Sequence, residues 1–182
     1  FQSAVNYATE NNPISVHAVD LNGDGHFDLV AANMNSNTVS VLLGNGNGTF
    51  QPAAHIAVGT TPRGLTLGDL NGDGAIDLAV ANLVDETLSI LLGNGNGTFQ
   101  SAVNVAAGNS PVSVVTMDLN GDGKLDLAVA SRTDDNVRVL LGNGNGTFQS
   151  ALSFSTGDRP YDVETGDLNG DGRLDLLIAN NL

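Results

Sequence analysis

Most residues able to do chemistry sit in four short stretches: DLNGDGHFD at 20–28, DLNGDGAID at 69–77, DLNGDGKLD at 118–126 and DLNGDGRLD at 167–175. Positions 1, 3, 5 and 9 are Asp, Asn, Asp and Asp in every copy. They are Asp20, Asn22, Asp24 and Asp28, then Asp69, Asn71, Asp73 and Asp77, then Asp118, Asn120, Asp122 and Asp126, and finally Asp167, Asn169, Asp171 and Asp175. In a tightly wound loop, oxygen side chains at alternate positions converge on one centre. The glycine at position 6 permits the turn that brings the position-7 carbonyl inward, here that of His26, Ala75, Lys124 or Arg173. The donor set is oxygen only, which is hard-cation chemistry. Its number and flexibility suit Ca²⁺ better than strictly octahedral Mg²⁺, and no Cys or His pair accompanies the loops to favour zinc. Asn-Gly and Asp-Gly also form Asx turns without metal. Four copies, each keeping the ninth-position Asp, favour the metal reading, as does the mutual repulsion of three carboxylates left uncompensated. Four Ca²⁺ sites are the expectation.

Charge supports the same view. The 182 residues carry six Lys plus Arg against twenty Asp plus Glu, a net charge of −14. Twelve of those acids lie in the four loops, so the remaining eight leave a balance of only −2. The acidity belongs to the sites, and four Ca²⁺ would bring −14 to −6. Nucleic acid is an unsuitable partner, because phosphate contacts need clustered Lys and Arg. The absence of Cys rules out disulfides and thiolate metal sites. No apolar run is long enough to span a membrane and no signal-peptide pattern opens the chain, so any export signal is expected upstream of Phe1.

The elements that must position these loops recur as well. Phe1, Phe50, Phe99 and Phe148 are 49 residues apart, as are Pro13, Pro62, Pro111 and Pro160, and LLGNGNGTFQ occurs three times. This implies one domain of three complete repeats starting at 1, 50 and 99, and an incomplete fourth from 148. Within the first unit, apolar runs at 14–19, 27–32 and 38–43 predict strands too short for helices. A polar turn at 33–37 and the glycine-rich 44–48 separate them, and 3–8, matched by 53–58, predicts a fourth strand. Four strands at this period indicate an all-β chain, a partial β-propeller of four-stranded antiparallel blades.

The loops are not EF-hands, which place a bidentate Glu at position 12; Ala31, Val80, Val129 and Ile178 stand there, inside apolar strands. They resemble the DxDxDGxxD calcium loops of FG-GAP (VCBS-type) repeats, familiar from the integrin α-subunit propeller and many bacterial secreted proteins. The resemblance extends over the whole chain, through the following strand and the GNGNGTF turn. Asn at position 3 is the consistent departure, and it keeps an oxygen ligand at lower charge. The resemblance implies structural ions that brace each blade, and an extracellular location, secreted or at the cell surface.

Other candidates are weaker. His17 and His55 have no evident partner, and His26 occupies a slot otherwise filled by Ala75, Lys124 and Arg173, so these histidines read as ordinary. No GxSxG, HExxH or Walker-type sequence occurs, which argues against an enzyme. The N-G-T sequons at Asn47, Asn96 and Asn145 read as hairpin turns. The copies diverge at 9–12, 59–61, 108–110 and 157–159 and at 34–37, 83–86 and 132–135, and loops on a rigid scaffold are where recognition resides. Arg132 and Arg159 in these loops, and Arg63 and Tyr161 just beyond them, stand out.

The expected function is a calcium-stabilised, non-catalytic binding or adhesion scaffold for a protein or glycan ligand. A carbohydrate-binding lectin is an alternative, disfavoured by the absence of Trp and scarcity of Tyr. An accessory domain of a polysaccharide- or sugar-acting enzyme is another. Such propellers usually need about seven blades. Further blades, or a homo-oligomer, are therefore expected to complete the sheet edge.

Overall fold

The computed structural model describes residues 3–181; Phe1, which opens the first repeat, Gln2 and Leu182 lie outside the described residues. Fourteen strands and no helix form among those described. They are β1 (Pro13–Val19), β2 (Asp28–Asn33), β3 (Thr38–Leu42), β4 (Ala54–Ala57), β5 (Pro62–Gly68), β6 (Asp77–Asn82), β7 (Thr87–Leu91), β8 (Val103–Ala106), β9 (Pro111–Met117), β10 (Asp126–Ser131), β11 (Asn136–Leu140), β12 (Leu152–Ser155), β13 (Pro160–Gly166) and β14 (Asp175–Asn180). Three antiparallel four-stranded sheets and one two-stranded sheet follow in chain order: β1–β4, β5–β8, β9–β12 and β13–β14. They make a partial, unclosed propeller, and no described helix is long and apolar enough to cross a membrane.

Each four-stranded sheet takes its fourth strand from the start of the following 49-residue unit. The strand expected at 3–8 is accordingly absent: those residues are irregular, although 101–106 is nearly the same sequence and holds β8. β8 pairs with β7, whereas 3–8 has no third strand beside it among the described residues. An isolated extended segment leaves its backbone groups without a ladder. The second strand begins at Asp28 rather than Phe27, because Phe27 lies 72% exposed outside the ladder.

Packing between sheets follows from the composition of the second strands. In β6, Leu78 and Val80 join the core shared with the first sheet, while Ala79 and Ala81 join the core shared with the third. In β10, Leu127 and Val129 in turn press on the second sheet, and Ala128 and Ala130 face the fourth. Between the second and third sheets, and between the third and fourth, large side chains thus meet small ones, which allows sheets buried on both faces to approach closely. The loops between first and second strands all emerge at one end of this stack, so the packing sets their spacing.

Candidate functional site

Each Asp-rich loop is wound by one hydrogen-bond pattern. In the first, Asp20 Oδ1 accepts from Gly23 N at 2.8 Å and Oδ2 from Gly25 N at 2.8 Å. Asn22 Oδ1 accepts from Asp24 N at 3.0 Å, and Asp24 Oδ1 from His26 N at 2.9 Å. Asp69, Asp118 and Asp167 accept from the equivalent glycine amides. Asn71, Asn120 and Asn169 likewise hold Asp73, Asp122 and Asp171, and the amides of Ala75, Lys124 and Arg173 donate to those aspartates. The Asx-turn geometry expected of Asn-Gly and Asp-Gly is therefore present in full, with positions 1, 3 and 5 brought together by shared bonds. Positive φ at Gly23 (72°) and Gly25 (81°) explains why glycine recurs there.

The ninth residue does something else. Asp28, Asp77 and Asp126 are fully buried at the start of their strands. Asp28 Oδ2 accepts from Leu21 N at 2.9 Å, and Oδ1 from Gly44 N at 2.7 Å. Asp77 bridges Leu70 N and Gly93 N, and Asp126 bridges Leu119 N and Gly142 N. One carboxylate thus joins the loop, the second strand and the turn after the third. Among the described residues Asp175 receives only the Leu168 N bond. Sequence reasoning treats Gly44, Gly93 and Gly142 as plain reversal residues and misses their amide role. A Cβ at Gly44 would stand 2.2 Å from the Phe27 carbonyl oxygen, so only glycine permits this approach.

Electrostatics match the geometry. Backbone N–H bonds, first that of the sixth-position glycine, hold Asp20, Asp118 and Asp167 below the usual carboxylate range. The Ala75 amide, with Asn71, does the same for Asp73. Burial pushes Asp77 up against its two N–H donors, and the nearby charges of Asp73 and Asp69 push in the same direction. The carboxylates of one loop therefore sense one another. Among the described residues no three acidic or histidine side chains stand as a ready-made cage. The donor chemistry nevertheless fits a hard cation, because an ionised carboxylate has about four lone-pair sites and retains acceptor capacity after one N–H bond per oxygen.

The divergent residues assemble elsewhere. One strand from each sheet, β1, β5, β9 and β13, lines a cavity of about 660 Å³. Across it Arg63 Nη2 donates to the Tyr161 hydroxyl at 3.0 Å, with the guanidinium 5.4 Å from the ring centre. Ser113 Oγ donates to Asp162 Oδ1 at 2.7 Å. His17 faces this cavity too; burial lowers its pKa and Glu164 opposes the shift. His55 Nδ1 lies 3.0 Å from Ser40 Oγ, and Asn104 makes the equivalent contact with Ser89, which marks a structural position.

A model of the FG-GAP-like repeat matches three overlapping spans, residues 20–80, 69–129 and 118–178. Among curated proteins none matches the sequence. Solved structures do share the fold. An Agrocybe aegerita lectin with specific recognition of non-reducing terminal N-acetylglucosamine aligns with TM-score 0.62 and 27% identity, over 88% of this chain and 45% of its own. A functionally unknown protein from Desulfotomaculum acetoxidans gives TM-score 0.62 and 20% identity over 82% and 44%. BBS1N, in complex with ARL6DN, gives 0.62 and 16% over 93% and 52%. The chain spans about half the length of these structures.

Proposed function

Because the chain belongs to the FG-GAP-like repeat family, we propose that it is a calcium-braced, non-catalytic binding scaffold from a secreted or cell-surface protein. The observation that carries this reading is the recurrence, four times over, of one wound loop presenting three carboxylates and an amide. In the first loop Asp20, Asn22, Asp24 and Asp28 with the His26 carbonyl would hold the ion, and their counterparts would do so in the other three. A bound Ca²⁺ supplies positive charge that relieves repulsion among the loop carboxylates. The protein's own part is to hold the loop path by backbone bonds and to anchor it through the ninth Asp, buried in the first three loops.

Thermal melting tests this. EDTA is expected to lower the melting temperature and added Ca²⁺ to restore it, with half-effect on the order of 10⁻⁴ to 10⁻³ M. A melt indifferent to both removes the calcium reading. A second reading, glycan recognition, is favoured by the 27% identity to the Agrocybe aegerita lectin. A glycan array separates it from protein binding: saturable binding to defined sugars supports it, and an empty array sinks it.

A further inference from the structure

The turns that follow β6 and β10, and the residues that precede β9 and β13, wall a second cavity of about 410 Å³. Leu83, Ser110, Arg132, Thr133, Asp135 and Arg159 line it. Two of the chain's six basic residues therefore meet in one cleft. Among the described residues neither makes an ion pair; the pair present is Arg138 with Asp134. Arg132 Nε is also buried there with no hydrogen-bond partner among the described residues. A charged group's donor is costly to bury unpaired, so such an atom marks a place where a partner is wanted.

The repeats supply an internal control. Met34 and Leu83 occupy the position of Arg132, and Asn12, Thr61 and Ser110 that of Arg159. Neither position is charged in any earlier copy, so the pair of arginines is particular to this cleft. Asp135 offsets part of their charge, its Oδ1 accepting from Arg159 N at 2.7 Å. Two guanidinium groups against one carboxylate leave a single positive charge, which suits a monoanion. The net charge of −14 repels polyanions at long range and further favours a ligand of low charge. Guanidinium forks match the planar carboxylate, the Ser110 and Thr133 hydroxyls add donors, and the volume fits a small molecule.

We propose that this cavity binds the carboxylate of a small acidic ligand, held by Arg132 and Arg159. A uronic sugar and a simple aliphatic acid share that chemistry. The proposal stands apart from the calcium reading, which is judged by melting, so either can fail alone.

Titration calorimetry of the whole chain in calcium-containing buffer, with glucuronate, acetate and glucose, tests it. Glucuronate is expected to bind and glucose not to. Acetate binding as tightly as glucuronate assigns recognition to the carboxylate alone, and weaker acetate binding assigns part of it to the sugar ring. Arg132→Leu and Arg159→Asn are each expected to weaken binding at least about ten-fold. Both place residues that other repeats hold at the same positions, and Asn suits the φ of 52° at Arg159, so the melting temperature should stay near that of the parent. Glucose binding as well as glucuronate, no binding of either acid, or unchanged affinity in both variants overturns the proposal.

Discussion

Strands β6 and β14 carry nearly the same sequence, DLAVAN and DLLIAN, yet every residue of β6 is buried while Leu177, Ala179 and Asn180 of β14 are exposed. β6 pairs on both edges, with β5 and β7, and packs between the first and third sheets. Among the described residues β14 pairs with β13 alone, and it offers Leu176 and Ile178 to the third sheet. The same contrast separates their first residues, since Asp77 holds two backbone amides and Asp175 one. Burial in this array is conferred by neighbours, sheet upon sheet, as in other repeat architectures.

Truncation should expose that difference most strongly. Leu78→Ala, at a site with no exposure, is expected to cost about 3 kcal/mol, and Leu176→Ala about 1 kcal/mol, by urea unfolding. Equal losses would mean that the fourth sheet is covered in solution. Next in size, Asp77→Ala strands the buried amides of Leu70 and Gly93 and should cost about 2 to 3 kcal/mol in EDTA. Asp175→Ala, losing one bond to an exposed segment, should cost under about 1 kcal/mol. If the two match, the bridge to the turn glycine contributes nothing.

The smallest effect is expected from pH. Asp20, Asp73, Asp118 and Asp167 have folded pKa values below the unfolded ones. Their contribution is present above the ordinary aspartate range and is lost as pH falls through the lowered values. Asp77 is raised, so its contribution has the opposite sign, present at low pH and lost as pH rises through its folded value. Asp134 is lowered as well, its burial outweighed by bonds from Asn109 and Arg138, so with five against one the calcium-free melting temperature should fall on acidification below the ordinary aspartate range. A rise would show that buried ninth-position carboxylates dominate over the loop.

Much of this was legible in the residues. The 49-residue period, the second and third strands and the Asx-rich loops follow from composition and spacing, because turn formers and apolar runs act locally. Arg63 and Tyr161 stand out by divergence at one repeat position, two periods apart, but only the packing of the sheets brings the second and fourth copies of that position into contact. The same holds for Arg132 and Arg159, which two different turns bring to one cleft. The turn glycines Gly44, Gly93 and Gly142 were visible as a repeat, yet their bonds to the ninth Asp join segments that only sheet pairing sets side by side.

The clearest division lies between 3–8 and 101–106, SAVNYA and SAVNVA, where the second contains strand β8 and the first contains none. Sequence alone determined the local alphabet: loops wound by their own side chains, short apolar strands, and oxygen donors grouped in each loop. Tertiary structure decided which extended segments became strands, which aspartates were buried and which arginines met. The physical reason is that a ladder bond or a buried contact needs a partner from another part of the chain, whereas an Asx turn carries its partner within reach.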